Sequence, residues 1–96
     1  MTDEELIRSA GGDDYAEGWN PLDSSAHALD LAVRLGIEVW PLIDAQVTTA
    51  MPLGLNTAQL VVREKHNGDP YAATRRAITR AAARLLREKG NGRDRN

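Results

Sequence analysis

The side chains that could support catalysis are few, and four of them lie within one short segment. This segment of the 96-residue chain holds two serines, a histidine and an aspartate: Ser24, Ser25, His27 and Asp30. A serine nucleophile and its base have to converge from supports that orient each other, and neither a nucleophile elbow nor an oxyanion-hole motif accompanies these residues. The spacing instead predicts a capping serine, a solvent-facing histidine and an ion pair between Asp30 and Arg34. We therefore expect no catalytic residues and no enzyme activity.

Metal and cofactor sites have no better support in the sequence. The two histidines, His27 and His66, lie far apart in the chain, and there is no cysteine. Asp13 and Asp14 lack the alternating ligands and the distal glutamate of a calcium loop. The Asn-Gly pair at 67–68 is typical of a turn, because no glycine-rich loop with a lysine follows a strand. We expect neither a bound metal nor a cofactor.

Electric charge is divided unevenly between the two ends of the chain. Residues 1–30 carry eight acidic side chains and one arginine, whereas residues 63–96 carry ten basic and four acidic ones, within a net charge of −2. The bases include an arginine ridge on the last predicted helix, which we define as Arg76, Arg80, Arg84 and Arg87. The acidic residues that we select as candidate binding residues are Asp13, Asp14 and Glu17.

Three interpretations of this charge division stay open. The two ends attract each other within the fold and leave an ordinary solvated surface, which is the common case. The charged faces bind another protein. The arginine ridge binds nucleic acid, because guanidinium groups pair bidentately with phosphate. No recognised DNA- or RNA-reading motif stands beside the ridge, so nucleic acid comes last of the three.

The arginine ridge needs a helix to position it, and the stretch 69–89 predicts one. Asp69 and Pro70 are typical of an N-cap and a first helical position, and Gly90 is typical of the residue that ends a helix. Helical spacing places the ridge away from one largely apolar arc of this helix. The arc consists of Tyr71, Thr74, Ile78, Ala81, Ala82 and Leu85. The two alanines in this arc would let the helix approach a flat partner closely, which favours a sheet.

The remaining elements complete a small α+β domain. We expect a short acidic helix over 2–10, a second core helix over 23–35, extended chain over 37–50 and a strand over 57–65. Pro41 marks a bulge or a sheet edge. The fold class predicted is a single domain with a three-stranded, mainly antiparallel sheet and two core helices in a layered α/β/α arrangement. Helix 23–35 is so widely apolar that a second subunit could cover part of it, as in a homodimer.

Domain limits and compartment follow from composition. We expect an acidic N-terminal helix and loop over 1–18, the α+β domain over 19–90 and a disordered tail over 91–96, which has no apolar residue. No apolar run reaches the roughly 18 residues that span a bilayer, and the N-terminus is no secretory signal. The lack of cysteine fits a reducing compartment. We expect a cytoplasmic protein that does not enter a membrane.

Three short motifs resemble the phage ABA sandwich domain, a family of small phage and prophage proteins of unknown function. They are a Trp-Asn-Pro-Leu-Asp turn before the first core helix, a Gly-Ile entry into the strands and an Ala-rich opening of the last helix, at 19–23, 36–37 and 70–78. The resemblance spans about residues 19–88. It implies an α/β/α layered fold and a phage origin, and it carries over no catalytic residue. With a phage origin, the cytoplasm that we expect is that of the host cell.

Together these observations predict a non-enzymatic phage or prophage accessory protein. It would act by binding a host or phage protein. Its candidate action is to inhibit a host defence complex, in the way that an anti-CRISPR protein does. The alternative is a nucleic-acid-binding protein that uses the arginine ridge.

Overall fold

The fold is seen in a computed structural model that describes residues 2–12, 15–52 and 61–94. In chain order, its elements are α1 (Asp3–Gly11), α2 (Ser25–Leu35), β1 (Ile37–Leu42), β2 (Val47–Pro52), β3 (Val62–Lys65) and α3 (Pro70–Asp94). The helices pack on a three-stranded antiparallel sheet. The predicted α+β single domain is therefore confirmed.

Local capping signals set where the first two helices begin. At α1, the Thr2 hydroxyl accepts a hydrogen bond from the Glu5 backbone N–H at 3.1 Å, and the Glu5 carboxylate accepts one from the Thr2 backbone N–H at 3.2 Å. This reciprocal capping box satisfies amides that have no partner inside the helix. At α2, the Ser24 hydroxyl accepts from the His27 backbone N–H at 3.2 Å. Gly36 ends α2 in the left-handed conformation, with φ 65°, which a glycine adopts without steric cost.

The last helix begins as predicted but extends further than predicted. The Asp69 carboxylate accepts from the Ala72 backbone N–H at 3.0 Å, so Asp69 is the N-cap and Pro70 is the first helical residue. The helix then continues through Gly90 to Asp94. The prediction that Gly90 ends it is therefore wrong. Of the predicted disordered tail over 91–96, residues 95 and 96 lie outside the described part of the chain. No proline follows to break the ladder of backbone hydrogen bonds, and a glycine inside a helix costs only about 1 kcal/mol.

The sheet has the strand order β1-β2-β3, so β1 and β3 are its edges within the described residues. Pro41 lies opposite Thr48 in the β1–β2 pair, and its missing N–H is tolerated because β1 is an edge strand. The turn over 43–46 joins β1 to β2, with Gln46 at φ 55°. Of the predicted strand over 57–65, the structure shows Val62–Lys65, and residues 57–60 lie outside the described part of the chain.

The core lies between α3 and one face of the sheet. Ala77 and Ala81 of α3 have no exposed area and belong to one buried cluster with Ala50 and Val62 of the sheet. These small side chains allow helix and sheet to approach closely, which confirms the role predicted for the alanine-rich arc. Ile78 and Leu85 are buried as well, but Tyr71 is 74% exposed, so its assignment to the buried arc is wrong. Tyr71 lies in the first turn of α3, where its ring borders an open hollow instead of packing in the core.

The helices are distributed differently from the predicted α/β/α layers. Both α2 and α3 contact β1, and they also contact each other, so they share one side of the sheet. Helix α1 contacts α3. On the opposite face of the sheet, Trp40 is 55% exposed and Leu42 is 41% exposed. Among the described residues, helices therefore cover one sheet face: α2 and α3 pack on it, and α1 packs on α3.

Candidate functional site

The arginine ridge is directed at the protein's own polar groups. Arg76 pairs with Asp3 of α1 at 2.9 Å, and Arg80 pairs with Glu64 of β3. Arg84 donates to the Val61 carbonyl at 3.2 Å. These three side chains are partly buried, whereas Arg87 is exposed. The ridge was predicted to face solvent or a partner, but the helix lies between α1 and β3, which supply its partners.

The acidic residues chosen from the sequence are not brought to this ridge as a group. Asp13 and Asp14 lie outside the described residues, and Glu17 is exposed in the loop that leads to α2. Among the described N-terminal acids, Asp3 pairs with the ridge. The ion pair between Asp3 and Arg76 agrees with the interpretation that the two charged ends attract each other within the fold.

The serine, histidine and aspartate of α2 have structural partners. Ser24 caps the helix, and Asp30 pairs with Arg34 at 2.8 Å, both as predicted. His27 is half-buried, not solvent-facing: its Nδ1 accepts from the Asn20 backbone N–H at 2.9 Å, and its ring stacks on Trp19 at 6.2 Å between centroids. The Asn20-Pro21 turn folds back on the helix, which brings Trp19 and Asn20 to His27.

A second histidine belongs to a buried polar cluster that the sequence did not suggest. Nε2 of His66 lies 2.9 Å from the Thr48 hydroxyl, which also lies 2.8 Å from the Thr74 hydroxyl. Thr48 and His66 are buried. Their contact depends on the pairing of β2 with β3, and no signal in the sequence joins residues 48 and 66. No group of three metal-ligating side chains occurs among the residues that the structure describes.

An open apolar groove lies between α2, β1 and the first turns of α3. It has a volume of about 470 Å³ and is lined mainly by apolar side chains. Leu29 from α2, Ile43 after β1 and Tyr71 from α3 are 64%, 62% and 74% exposed and line it. Val39 and Pro41 of β1 line it as well. We call this feature the apolar groove.

Among the described residues, one charged side chain lines the apolar groove. Arg75 donates from Nε to the Leu22 carbonyl at 2.9 Å and from Nη1 to the Ser25 hydroxyl at 3.2 Å. These bonds hold the guanidinium where α2 and α3 begin, and both helix N-termini contribute lining residues there. The groove is thus apolar along its length, with a cationic group and two positive helix ends on one side.

The sequence indicated only one part of this groove in advance. The broad apolar arc of α2 predicted an uncovered flank, and Leu29 lies on it, as does Val33, which is 73% exposed. The contributions of Ile43 and Tyr71 could not be foreseen, because they depend on where β1 ends relative to α3. The groove requires all three elements together.

Comparison of the chain with protein-family models, with curated proteins and with solved structures finds no significant match. The resemblance to the phage ABA sandwich domain therefore stays a prediction. No helix in the described part of the chain is long and apolar enough to cross a membrane.

Proposed function

We propose that this protein acts without catalysis, by binding a segment of another protein in the apolar groove. The observation that supports this most directly is the exposure of Leu29, Ile43 and Tyr71 around one hollow. Large apolar side chains that cluster at the surface lower their free energy when a partner removes them from water, at roughly 25 cal/mol per Å² buried. Interfaces of this kind rely on aromatic and aliphatic anchors near their centre.

The groove favours a protein segment over a small polar ligand. Small-molecule sites use several polar groups that point inward and fix the ligand's orientation. Here the principal polar groups, Arg75 and the Ser25 hydroxyl, bond to each other and to the Leu22 carbonyl. We therefore propose an apolar partner segment that carries a carboxylate, because Arg75 is the one charged group among the lining residues that the structure describes.

Nucleic-acid binding through the arginine ridge ranks below this proposal. Arg80 and Arg76 are engaged by carboxylates of the same chain, and Arg84 by a backbone carbonyl. A phosphate would have to displace these partners before it could bind. The exposed apolar side chains that carry the groove proposal, Leu29, Ile43 and Tyr71, have no such bonds to break.

The wider setting of this activity rests on the sequence resemblance. We propose a phage or prophage accessory protein that works in the host cytoplasm on a host or phage protein, with a host defence complex as the candidate target. The identity of the partner decides this part of the proposal, so it is tested by the same experiment.

Two charge-introducing variants on α2 test the groove. Leu29→Lys places an ammonium in the groove, whereas Val33→Lys places the same group one turn further along the helix, outside the lining. Both positions are exposed in the fold, so both variants should unfold like the unaltered protein. We expect capture from host lysate, quantified by mass spectrometry, to recover a partner with the unaltered chain and with Val33→Lys but at least roughly tenfold less with Leu29→Lys.

The captured protein then has to bind the purified chain directly. Calorimetry should show a negative heat-capacity change, the mark of apolar burial. If no captured protein depends on Leu29, or if Val33→Lys removes it equally, the groove is not the binding surface.

A further inference from the structure

The backbone of β1 presents unpaired hydrogen-bonding groups at the edge of the sheet. The His66 backbone N–H donates to the Gln46 carbonyl at 2.9 Å, which shows that even-numbered residues of β2 point their backbone groups toward β3. The odd-numbered residues of β2 therefore point toward β1, where they meet its even-numbered residues. It follows that Ile37, Val39 and Pro41 direct their backbone groups outward, away from β2.

The two edges of the sheet differ in whether other residues of the chain bond to their outward backbone groups. At β3, Arg84 donates to the Val61 carbonyl at 3.2 Å and Arg80 donates to the Arg63 carbonyl at 3.5 Å. At β1, no hydrogen bond joins the outward backbone groups of Ile37 and Val39 to the part of the chain that the structure describes. An edge strand with unpaired groups is a template for another strand.

We propose that β1 pairs antiparallel with β1 of a second copy of this chain, in a register centred on Val39. In this register the two Val39 residues exchange both of their backbone hydrogen bonds. Each Ile37 N–H donates to the Pro41 carbonyl of the other copy, and the one donor missing on each side is the absent N–H of Pro41. A two-fold interface requires a self-complementary surface, and this strand edge provides one.

Charge and proline content select this register among those that β1 allows. A register centred on Glu38 forms as many backbone bonds but places the two Glu38 carboxylates directly opposite each other, which is destabilising. A register centred on Trp40 requires the missing N–H of Pro41 in its central bonds. The register centred on Val39 instead places Glu38 opposite Trp40 of the second copy. Glu38 already accepts a hydrogen bond from Trp40 Nε1 within its own strand, so the two side-chain types are complementary.

The resulting dimer would have one continuous sheet of six strands. Its two-fold axis would run perpendicular to the sheet, so α2 and α3 of both copies would lie on the same face. The two apolar grooves would then lie on either side of the axis, since Val39 and Pro41 line each of them. The inference goes beyond the proposed function and does not depend on it, because the dimer forms whether or not the groove binds a partner.

Sedimentation equilibrium of the full chain tests the dimer. The chain has a mass of 10.5 kDa, and we expect a concentration-dependent shift to twice this value. Val39→Pro removes the central backbone donor, while the matched control Val39→Ala shortens the same side chain and keeps the donor. Val39→Pro should weaken dimerisation roughly ten- to hundredfold relative to Val39→Ala. A chain that stays monomeric up to roughly millimolar concentration, the range of weak complexes, overturns the proposal, as does equal dimerisation of the two variants.

A measurement on the unaltered chain settles the register even if Val39→Pro does not fold. In a mixed sample of labelled and unlabelled chains, NMR should show a cross-peak between the Hα atoms of Glu38 and Trp40 that belong to different copies. A cross-peak between the two Glu38 residues, or between residues outside β1 with none inside it, would refute the Val39-centred pairing. Because this readout involves no partner protein, its failure leaves the test of the groove unaffected.

Discussion

Replacing Thr48 by valine should destabilise the protein through His66, the residue that follows the neighbouring strand β3. Thr48 has no exposed area, and its hydroxyl is shared between His66 Nε2 at 2.9 Å and the Thr74 hydroxyl at 2.8 Å. Valine has nearly the same shape, so it leaves little cavity, but it cannot bond to either neighbour. His66 is 6% exposed, so water has little access to its ring as a replacement partner, whereas Thr74 is only half-buried.

The magnitude follows from the one buried atom that loses its partner. An unsatisfied buried polar group costs about 1–3 kcal/mol. For a domain of this size, a loss of about 2 kcal/mol lowers the melting temperature by roughly 8–16 °C. A free-energy loss of about 2 kcal/mol is a large fraction of the roughly 5–15 kcal/mol that stabilises a typical domain. We expect urea unfolding followed by tryptophan fluorescence to show a lower midpoint with an unchanged slope.

Thr49→Val is the matched control for this prediction. It makes the same change on the next residue of β2, whose side chain lies on the other face of the sheet, so its effect should stay within about 0.5 kcal/mol. In a chain that also carries His66→Leu, Thr48→Val should cost much less, because no ring nitrogen is then left unpaired. Equal effects of Thr48→Val and Thr49→Val, or an unchanged cost in the double variant, would refute the reasoning.

Two further predictions concern charged side chains whose partners the structure identifies. Hydrogen bonds from the backbone N–H and, to a smaller extent, the hydroxyl of Thr2 hold the pKa of Glu5 below its ordinary value. The stabilisation of α1 by this carboxylate is therefore complete above the pKa of Glu5 in the unfolded chain and is lost as the pH falls through its lower pKa in the folded chain. An NMR titration should show this lowered pKa for Glu5 and a higher one in Thr2→Ala. Arg80→Met should lower the free energy of unfolding in urea by about 1–2 kcal/mol, because it leaves the largely buried carboxylate of Glu64 without its partner. The control Arg87→Met changes an exposed arginine of the same ridge and should alter stability by less than about 0.5 kcal/mol. Equal losses in the two variants would contradict a stabilising role of the Arg80–Glu64 pair.

The arginine ridge shows where reasoning from helical spacing stops. Periodicity correctly placed Arg76, Arg80 and Arg84 together on α3, away from Ile78. It could not indicate that α1 and β3 lie beside this stretch, because Asp3 and Val61 are remote in the chain from the arginines that contact them. A surface that the sequence offered to a partner is consequently used largely within the fold.

Local interactions let the sequence by itself determine the elements of this protein. The capping box at Thr2, the Ser24 and Asp69 caps and the stop at Gly36 each depend on residues a few positions apart. Such signals are encoded where they act, so the α+β class and the alanine-rich contact of α3 could be predicted. The exception is Gly90, where a helix stop was available but was not used.

Only the tertiary structure decided which surfaces meet and which stay open. The contact between Thr48 and His66, the covered edge at β3, the uncovered edge at β1 and the apolar groove all join residues from separate elements. Their geometry depends on how α2 and α3 share one face of the sheet, and the apolar pattern of each helix allows more than one such arrangement. For that reason the candidate binding surfaces could be identified only from the packing, whereas the helices and strands that form them could be predicted from the sequence.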